Sequence, residues 1–346
     1  MGRHRDDSLW AISCFFNPGR YEQRLRNYRL FRERLPIPLL CVELSHDGTY
    51  ELDKSDSDIL VQICASSVMW QKERLLNIAV AALPAYCKTV AWLDNDVLFG
   101  RNDWHRETAA MLDRFNVLQL FSHFTDLPRD ITVTACDSDR AVSAGPSFAF
   151  LYASGGRERE LFDTMWGCGV ENTAEGVRVR RVRSSGLAWA ARREIIDRHG
   201  FYDACISGSG DRAIACAAYG RHETSIQSWI RNERQRQHYL NWARPFACAV
   251  NNKVSYVEGE IYHLWHGELR DRHYRERQQG MEPFGFDPFV DIAIDEKGCW
   301  RWNSDKAEMH EFVRRYFQLR NEDGNAKMSC LSALGRRTEF AEGHSG

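Results

Sequence analysis

The chain has 346 residues, 43% hydrophobic and 27% charged, with a formal net charge of −2. A chain of this length can bury an apolar core without disulfide or metal staples, and a charge so near neutrality excludes a protein that holds nucleic acid or acidic membrane by its overall field. No apolar stretch approaches the ~20 residues of a membrane span, and Met1-Gly2-Arg3-His4-Arg5 leads into no signal-peptide core, so no transmembrane segment is expected.

The first half alternates strand-like and helix-like segments at βαβ spacing. Leu9–Phe16 is an apolar run that stops at Asn17-Pro18-Gly19, a strand and a turn. Tyr21–Leu35 has helical spacing through Leu25, Tyr28 and Phe31 and ends before Pro36; Pro38–Leu44 and Ile59–Cys64 read as strands. Trp70–Leu83 is a helix closed by Pro84, and Thr89–Leu93 is a strand that runs into Asp94-Asn95-Asp96. A helix over Asp103–Phe115 and a strand over Val117–Phe121 follow. The second half is less regular. Asp137–Gly145 reads as a mobile loop, Gly186–His199 as a short strand or turn and then a helix, and Ser207–Asp211 as a tight turn before a helix over Arg212–Tyr219. Val254–His263 is strand-like, and from Asn321 the chain is polar and Gly-containing, a flexible tail over residues 321–346. The fold expected is α/β in one domain, a mixed and mostly parallel central sheet flanked by helices. Ligands of such sheets sit beyond the carboxyl ends of the strands, which gathers Asn17, Glu43 and the Asp94–Asp96 turn around one crevice.

Eleven cysteines occur singly, with no Cys-x-x-Cys, and several lie inside apolar runs such as Ala11-Ile12-Ser13-Cys14-Phe15-Phe16. Reduced cysteines behave there as small hydrophobes, which points to the cytoplasm. Two arginine clusters stand out, Arg20 to Arg34 and Arg178-Val179-Arg180-Arg181-Val182-Arg183. Solvated faces explain such runs more often than a polyanion site does.

The sharpest local signal is Ala91-Trp92-Leu93-Asp94-Asn95-Asp96, an apolar strand that delivers two carboxylates two positions apart. Mg²⁺ and Mn²⁺ take oxygen ligands, typically one or two carboxylates with substrate phosphates. With Lys72-Glu73-Arg74-Leu75-Leu76-Asn77 about a dozen residues upstream, this region resembles the centre of GT-A glycosyltransferases. The similarity is nearest to the β-1,4-galactosyltransferase and chondroitin-synthase group. The resemblance implies a single GT-A domain over residues 1–320, with 8–125 as the nucleotide-sugar half and 126–320 as the acceptor half. It implies transfer of a hexose from a nucleotide-sugar, a UDP-sugar first, to an acceptor hydroxyl with inversion, and a Mn²⁺ or Mg²⁺ cofactor.

Residue by residue, the resemblance puts Asp94 and Asp96 on the metal, with Asp94 also at the donor, and Lys72 and Arg74 in the diphosphate pocket. Gly208-Ser209-Gly210-Asp211 matches a Gly-rich turn that ends in the general base, so Asp211 takes that role, with Asp203 its competitor; Trp189 joins the sugar platform. Relatives often carry Glu-Asp where this chain has the single Asp211. Tyr262-His263-Leu264-Trp265-His266 supplies a late metal-ligating histidine, with His263 and His266 both open. Arg270, Tyr274 and Arg277 close over the diphosphate as a lid.

Three other readings compete. A sugar nucleotidyltransferase shares the sheet and the metal carboxylates, but needs a Gly-rich basic loop after the first strand, where Phe15-Phe16-Asn17-Pro18-Gly19-Arg20 has one Gly. A non-catalytic sugar- or nucleic-acid-binding protein would have no need of Asp94, Asp96, Asp211 and two late histidines together. An acceptor that is a hydroxymethylated base in DNA rests only on the arginine clusters; a saccharide acceptor is the default.

Overall fold

The computed structural model describes residues 8–129, 141–156, 168–173, 176–223, 230 and 232–324, and for 168–173 and 176–180 the backbone alone. Leu9–Phe16 forms β1, with every residue but Cys14 buried, as an apolar strand at the centre of a sheet must be. The chain then crosses through α1 (Glu22–Arg34) to β2 (Leu39–Ser45), continues to β3 (Ile59–Cys64), and crosses again through α2 (Lys72–Ala82) to β4 (Thr89–Leu93). These four strands run parallel, with β1 between β2 and β4 and with β3 at the edge.

Beyond β4 the chain divides its strands between two sheets. The elements are β5 (Val97–Phe99), α3 (Trp104–Met111), β6 (Val117–Gln119), β7 (His123–Asp126), β8 (Ser143–Pro146), α4 (Phe148–Ala153), β9 (Cys168–Thr173), β10 (Gly176–Arg181), β11 (Ala188–Arg192), α5 (Arg193–His199), α6 (Gly210–Ala218), α7 (Glu233–Val250), β12 (Val254–Tyr256) and β13 (Glu260–His263). A short helical turn, Glu276–Gln279, a hairpin of β14 (Ile292–Ile294) and β15 (Trp300–Trp302), and α8 (Ala307–Leu319) complete the order. The central sheet has seven strands, β12–β6–β11–β4–β1–β2–β3, and only β11 runs antiparallel to its neighbours. It is the mixed, mostly parallel sheet expected. A second sheet, β5–β13–β7–β8, stands beyond the carboxyl end of β4.

Two apolar layers cover the central sheet. One packs α2, α6, α7 and α8 through Leu75, Leu76, Ala213, Tyr239, Phe246, Val313 and Phe317; the other packs α1 and α3 through Tyr28, Phe31 and Trp104. No described helix is long and apolar enough to cross a membrane, and the eight cysteines whose state is described are free thiols.

Several boundaries differ from the sequence reading. Val117–Phe121 ends as a strand at Gln119, because the chain leaves one sheet there and enters the other at His123. Val254–His263 is two strands in different sheets, divided at Gly259 with φ +141°, a value that favours glycine. The helix over Asp103–Phe115 is shorter, Trp104–Met111. Of the loop read over Asp137–Gly145, the end enters β8 and residues 137–140 lie outside the described residues. The tail does not begin at Asn321: Glu322 is wholly buried, and the segment packs against α1 and the Trp265–Gly267 turn. Residues 325–346 lie outside the described residues.

Candidate active site

Strand β4 ends where its neighbours leave a crevice, and the Asp94-Asn95-Asp96 turn spans it. Three contacts fix this turn. Asp94 N donates to Leu187 O at 2.8 Å, Asn95 Nδ2 to Cys14 O at 2.8 Å, and Leu264 N to Asp96 O at 2.8 Å. The antiparallel ladder of β5 and β13 sets His263 opposite Val97, beside Asp96. A cavity of about 230 Å³ opens here, and Lys72, Glu73, Asp94, Asp96, Asp211, His263, His266, Arg272, Tyr274 and Arg277 are among its walls.

On one side Asp96, His263 and His266 converge, with a carboxylate oxygen and one ring nitrogen from each histidine all within 4.8 Å of one another. His266 Nε2 is 3.0 Å from Asp96 Oδ2, His263 Nε2 is 3.6 Å from Asp96 Oδ1, and the two Nε2 atoms are 3.1 Å apart. Behind His263, Asp126 Oδ1 lies 2.8 Å from Nδ1. A carboxylate can only accept, so Nδ1 donates and Nε2 keeps its lone pair toward Asp96. Burial and then Arg181 lower the His263 pKa, which keeps the ring neutral. Asp96 Oδ1 and His266 Nδ1 are buried with no hydrogen-bond partner. Two imidazole nitrogens and a carboxylate facing one point, with the acceptor Asp96 Oδ1 orphaned there, fit a divalent transition metal. Burial alone would raise Asp96, but His266, His263 and Arg272 hold it far below the usual carboxylate range.

Asp94, expected beside Asp96 on the metal, is not part of this cluster among the described residues. Its carboxylate is ion-paired with Lys72, whose Nζ also donates to Asp211 Oδ1 at 2.8 Å. Glu73 adds a third carboxyl: it is 2% exposed, its Oε1 has no hydrogen-bond partner, and burial followed by Asp211 raises it to about 8. Gly210 permits this crowding, because a Cβ there would stand 2.0 Å from Glu73 Oε1. The turn before it, Gly208-Ser209, has both residues at positive φ, 89° and 86°, and Gln278 Nε2 braces it by donating to Gly208 O at 3.0 Å and Ser209 Oγ at 3.1 Å. Asp211 thus enters the cavity from the first turn of α6.

A basic wall faces both carboxylate groups. Arg24, Arg272, Arg277 and Arg320 line it. Arg24 and Arg320 pair with Glu322, Arg24 Nε at 2.7 Å. Arg272 donates to His266 O at 2.8 Å and Arg277 to Tyr316 Oη, yet neither has a carboxylate partner among the described residues, and the Nε of each is buried without a hydrogen-bond partner. Burial would raise the Tyr316 phenol, but Arg277, Arg320 and Arg272 outweigh it and lower its pKa.

Of the residues expected here, Lys72, Asp94, Asp96, Asp211, His263, His266, Tyr274 and Arg277 line the cavity. Five do not. Asn17 closes its own turn, exchanging hydrogen bonds of 3.0 Å with the Tyr21 backbone. Glu43 points back to the Glu51 and Leu52 amides at 2.6 and 3.2 Å. Arg74 pairs with Asp203 at 3.0 Å, which also engages the competitor for the role of base. Trp189 is a core residue stacked on Trp92 at 6.4 Å and 7°. Arg270 projects outward, with a side chain 68% exposed. The arginine clusters are also largely engaged: Arg20, Arg26, Arg29 and Arg32 pair with Asp47, Glu22, Asp56 and Asp58, and Arg181 is buried against Asp126 at 3.4 Å. The side chains of Arg178 and Arg180 lie outside the described residues.

Sequence reasoning missed Tyr316, Arg320 and Glu322, and did not single out Arg24, Arg272 or Glu73. Tyr316 carried a signal, since Met309, Val313, Tyr316 and Phe317 recur at helical spacing.

No protein-family model matches the chain, and no curated protein matches it. Solved structures similar to it include S. aureus TarS in complex with UDP-GlcNAc, at 9% identity over 91% of this chain and 72% of that one, with TM-score 0.35. A mycobacterial protein is 11% identical over 84% and 81%, with TM-score 0.37. The galactosyltransferase LgtC with donor and acceptor sugar analogs is 12% identical over 80% and 95%, with TM-score 0.30. Likenesses this remote carry no argument about the chemistry.

Proposed function

We propose that the chain is a glycosyltransferase of the GT-A type that uses a nucleotide-sugar, a UDP-sugar first, and transfers its hexose to an acceptor hydroxyl with inversion. The observation that carries this reading is the pair of buried guanidiniums without carboxylate partners among the described residues, Arg272 and Arg277, lining the cavity that also holds Asp96, His263 and His266. A buried cation left without an anion is costly, and a diphosphate bound in this cavity would give both arginines one. Asp96, His263 and His266 would hold the metal, and two imidazoles favour Mn²⁺ over Mg²⁺. Once bound, the metal neutralises charge on the departing diphosphate.

The chain's own groups supply the rest. Arg272 and Arg277 offer fixed donors to the leaving phosphate oxygens. Asp211, across the cavity at the start of α6, takes the proton of the acceptor hydroxyl as its oxygen bonds to the anomeric carbon and the bond to the diphosphate breaks. Lys72 holds Asp211 and Asp94 in place. The saccharide acceptor remains the preferred class, since Arg24, Arg26, Arg29 and Arg32 of α1 are engaged within the molecule. The nucleotidyltransferase reading gains nothing from the Asn17–Arg20 segment, whose turn is closed on itself.

Calorimetric titration with UDP and Mn²⁺ tests the reading. Wild type is expected to bind UDP only with the metal, and Asp96→Ala to lose at least 100-fold of that affinity. Absence of binding by any nucleoside diphosphate with either metal would overturn it.

A further inference from the structure

Each metal-facing histidine has a carboxylate behind it, and the second comes from the far end of the chain. Asp126 stands behind His263. Behind His266, Glu322 Oε1 lies 3.9 Å from Nδ1, a nitrogen buried with no hydrogen-bond partner. That separation is too long for a hydrogen bond and short for a charge. The same carboxylate pairs with Arg24 Nε at 2.7 Å and with Arg320, and it is wholly buried.

The segment that carries Glu322 is built into place. Asp323 accepts from the Gln23 and Glu22 amides at 2.8 and 3.3 Å, at the start of α1. Asn321 N donates to Tyr21 Oη at 3.2 Å, while Tyr21 Oη donates to Phe317 O at 2.8 Å. Arg129 Nη2 donates to Asp323 O at 2.7 Å. Gly267, next to His266, has φ +90°, and a Cβ on it would stand 2.9 Å from Asn321 O. The chain therefore keeps glycine where the returning segment crosses the metal-site turn.

We propose that Glu322 is a positioning residue: its one carboxylate orients His266 as a metal ligand and holds Arg24 and Arg320 at the cavity wall. The inference rests on the metal–diphosphate reading of the site. A carboxylate near Nδ1 favours the tautomer protonated there and leaves the Nε2 lone pair for the metal, as Asp126 does for His263. It also counters two of the wall's guanidiniums, which would otherwise repel a divalent cation in the same cavity.

The test titrates the full chain with Mn²⁺ alone, by calorimetry and by loss of the free-ion electron paramagnetic resonance signal, in wild type, Glu322→Gln and Asp96→Ala. Glu322→Gln is expected to weaken Mn²⁺ binding roughly 10- to 100-fold while its circular dichroism stays that of wild type. Wild-type affinity in Glu322→Gln, with binding lost in Asp96→Ala, overturns this inference alone. No Mn²⁺ binding by wild type overturns the metal reading and this inference with it. Nitrogen-15 spectra of wild type loaded with Zn²⁺, a diamagnetic ion, add a check that needs no variant: His266 is expected to bind the ion through Nε2 and to carry its proton on Nδ1, and ligation through Nδ1 overturns the proposal.

Discussion

Asp94 and Asp96 leave the same strand two residues apart and end in opposite surroundings. Asp94 shares one lysine with Asp211 and stands near Glu73; burial, with Asp211 and Asp96 against Lys72, raises it to about 6. Asp96 faces two histidines and Arg272, and these pull it far below the usual range despite burial. The Lys72 side is crowded with carboxylates that one internal cation balances. The Asp96 side has orphaned ligand atoms and guanidiniums without carboxylates. Proximity in a two-carboxylate turn therefore does not make its members equivalent: on one side internal charges are needed for the fold, on the other they are disposed toward a ligand.

The sharpest way to separate the two sides is to remove the shared cation. Lys72→Met leaves Asp94 and Asp211 without their partner, with side chains 24% and 29% exposed. Breaking a fully buried pair costs roughly 3–5 kcal/mol; the partial exposure reduces this to about 2–3 kcal/mol. Urea unfolding should show that loss at pH 7.5, with the part that comes from Asp94 regained near pH 5, where that carboxyl is protonated. An unchanged midpoint would mean that the lysine does not hold this side together.

Glu73 gives a smaller and pH-dependent effect. Its carboxyl titrates at about 8 when folded against an ordinary 4.5. Between those values the folded state binds the extra proton, so stability falls as pH rises through that window. Asp94 contributes in the same direction but only up to about 6. Above pH 6 the difference between wild type and Glu73→Gln isolates Glu73, and is expected to grow by about 1 kcal/mol per pH unit up to pH 8 in favour of the variant. Parallel stability curves for the two proteins would contradict the buried, partnerless carboxyl.

Much of this was legible in the sequence where signals are local. β1 to β4, α1 and α2 follow from apolar runs and helical spacing, and the strand-end carboxylates mark the crevice. The second sheet was not legible, because its strands are three or four residues long and its central strand β13 pairs with both neighbours across more than a hundred positions, as His263 does with Asp126. Trp189 reads as a sugar platform by resemblance, yet it sits on β11 opposite Trp92, where the register makes it core. Glu322 lies in a polar stretch that local composition assigns to a tail. Only the return of α8 toward α1 gives it neighbours.

The same limit applies within the Arg270–Arg277 run, where sequence offers four arginines and no way to rank them. Arg270 and Arg272 are two positions apart on one turn of 3₁₀ helix, so they point in different directions. Arg272 turns under His266 and is 5% exposed; Arg270 points outward, its nearest carboxylate Asp271 at 3.9 Å. An exposed arginine whose ion pair is that loose contributes little. Arg270→Ala is therefore expected to shift stability by less than about 0.5 kcal/mol and to change metal-dependent UDP affinity less than twofold in calorimetry at moderate salt. A tenfold loss would mean that the Leu269–Arg272 turn rotates over the ligand and brings Arg270 to the diphosphate, restoring it to the lid that the sequence suggests.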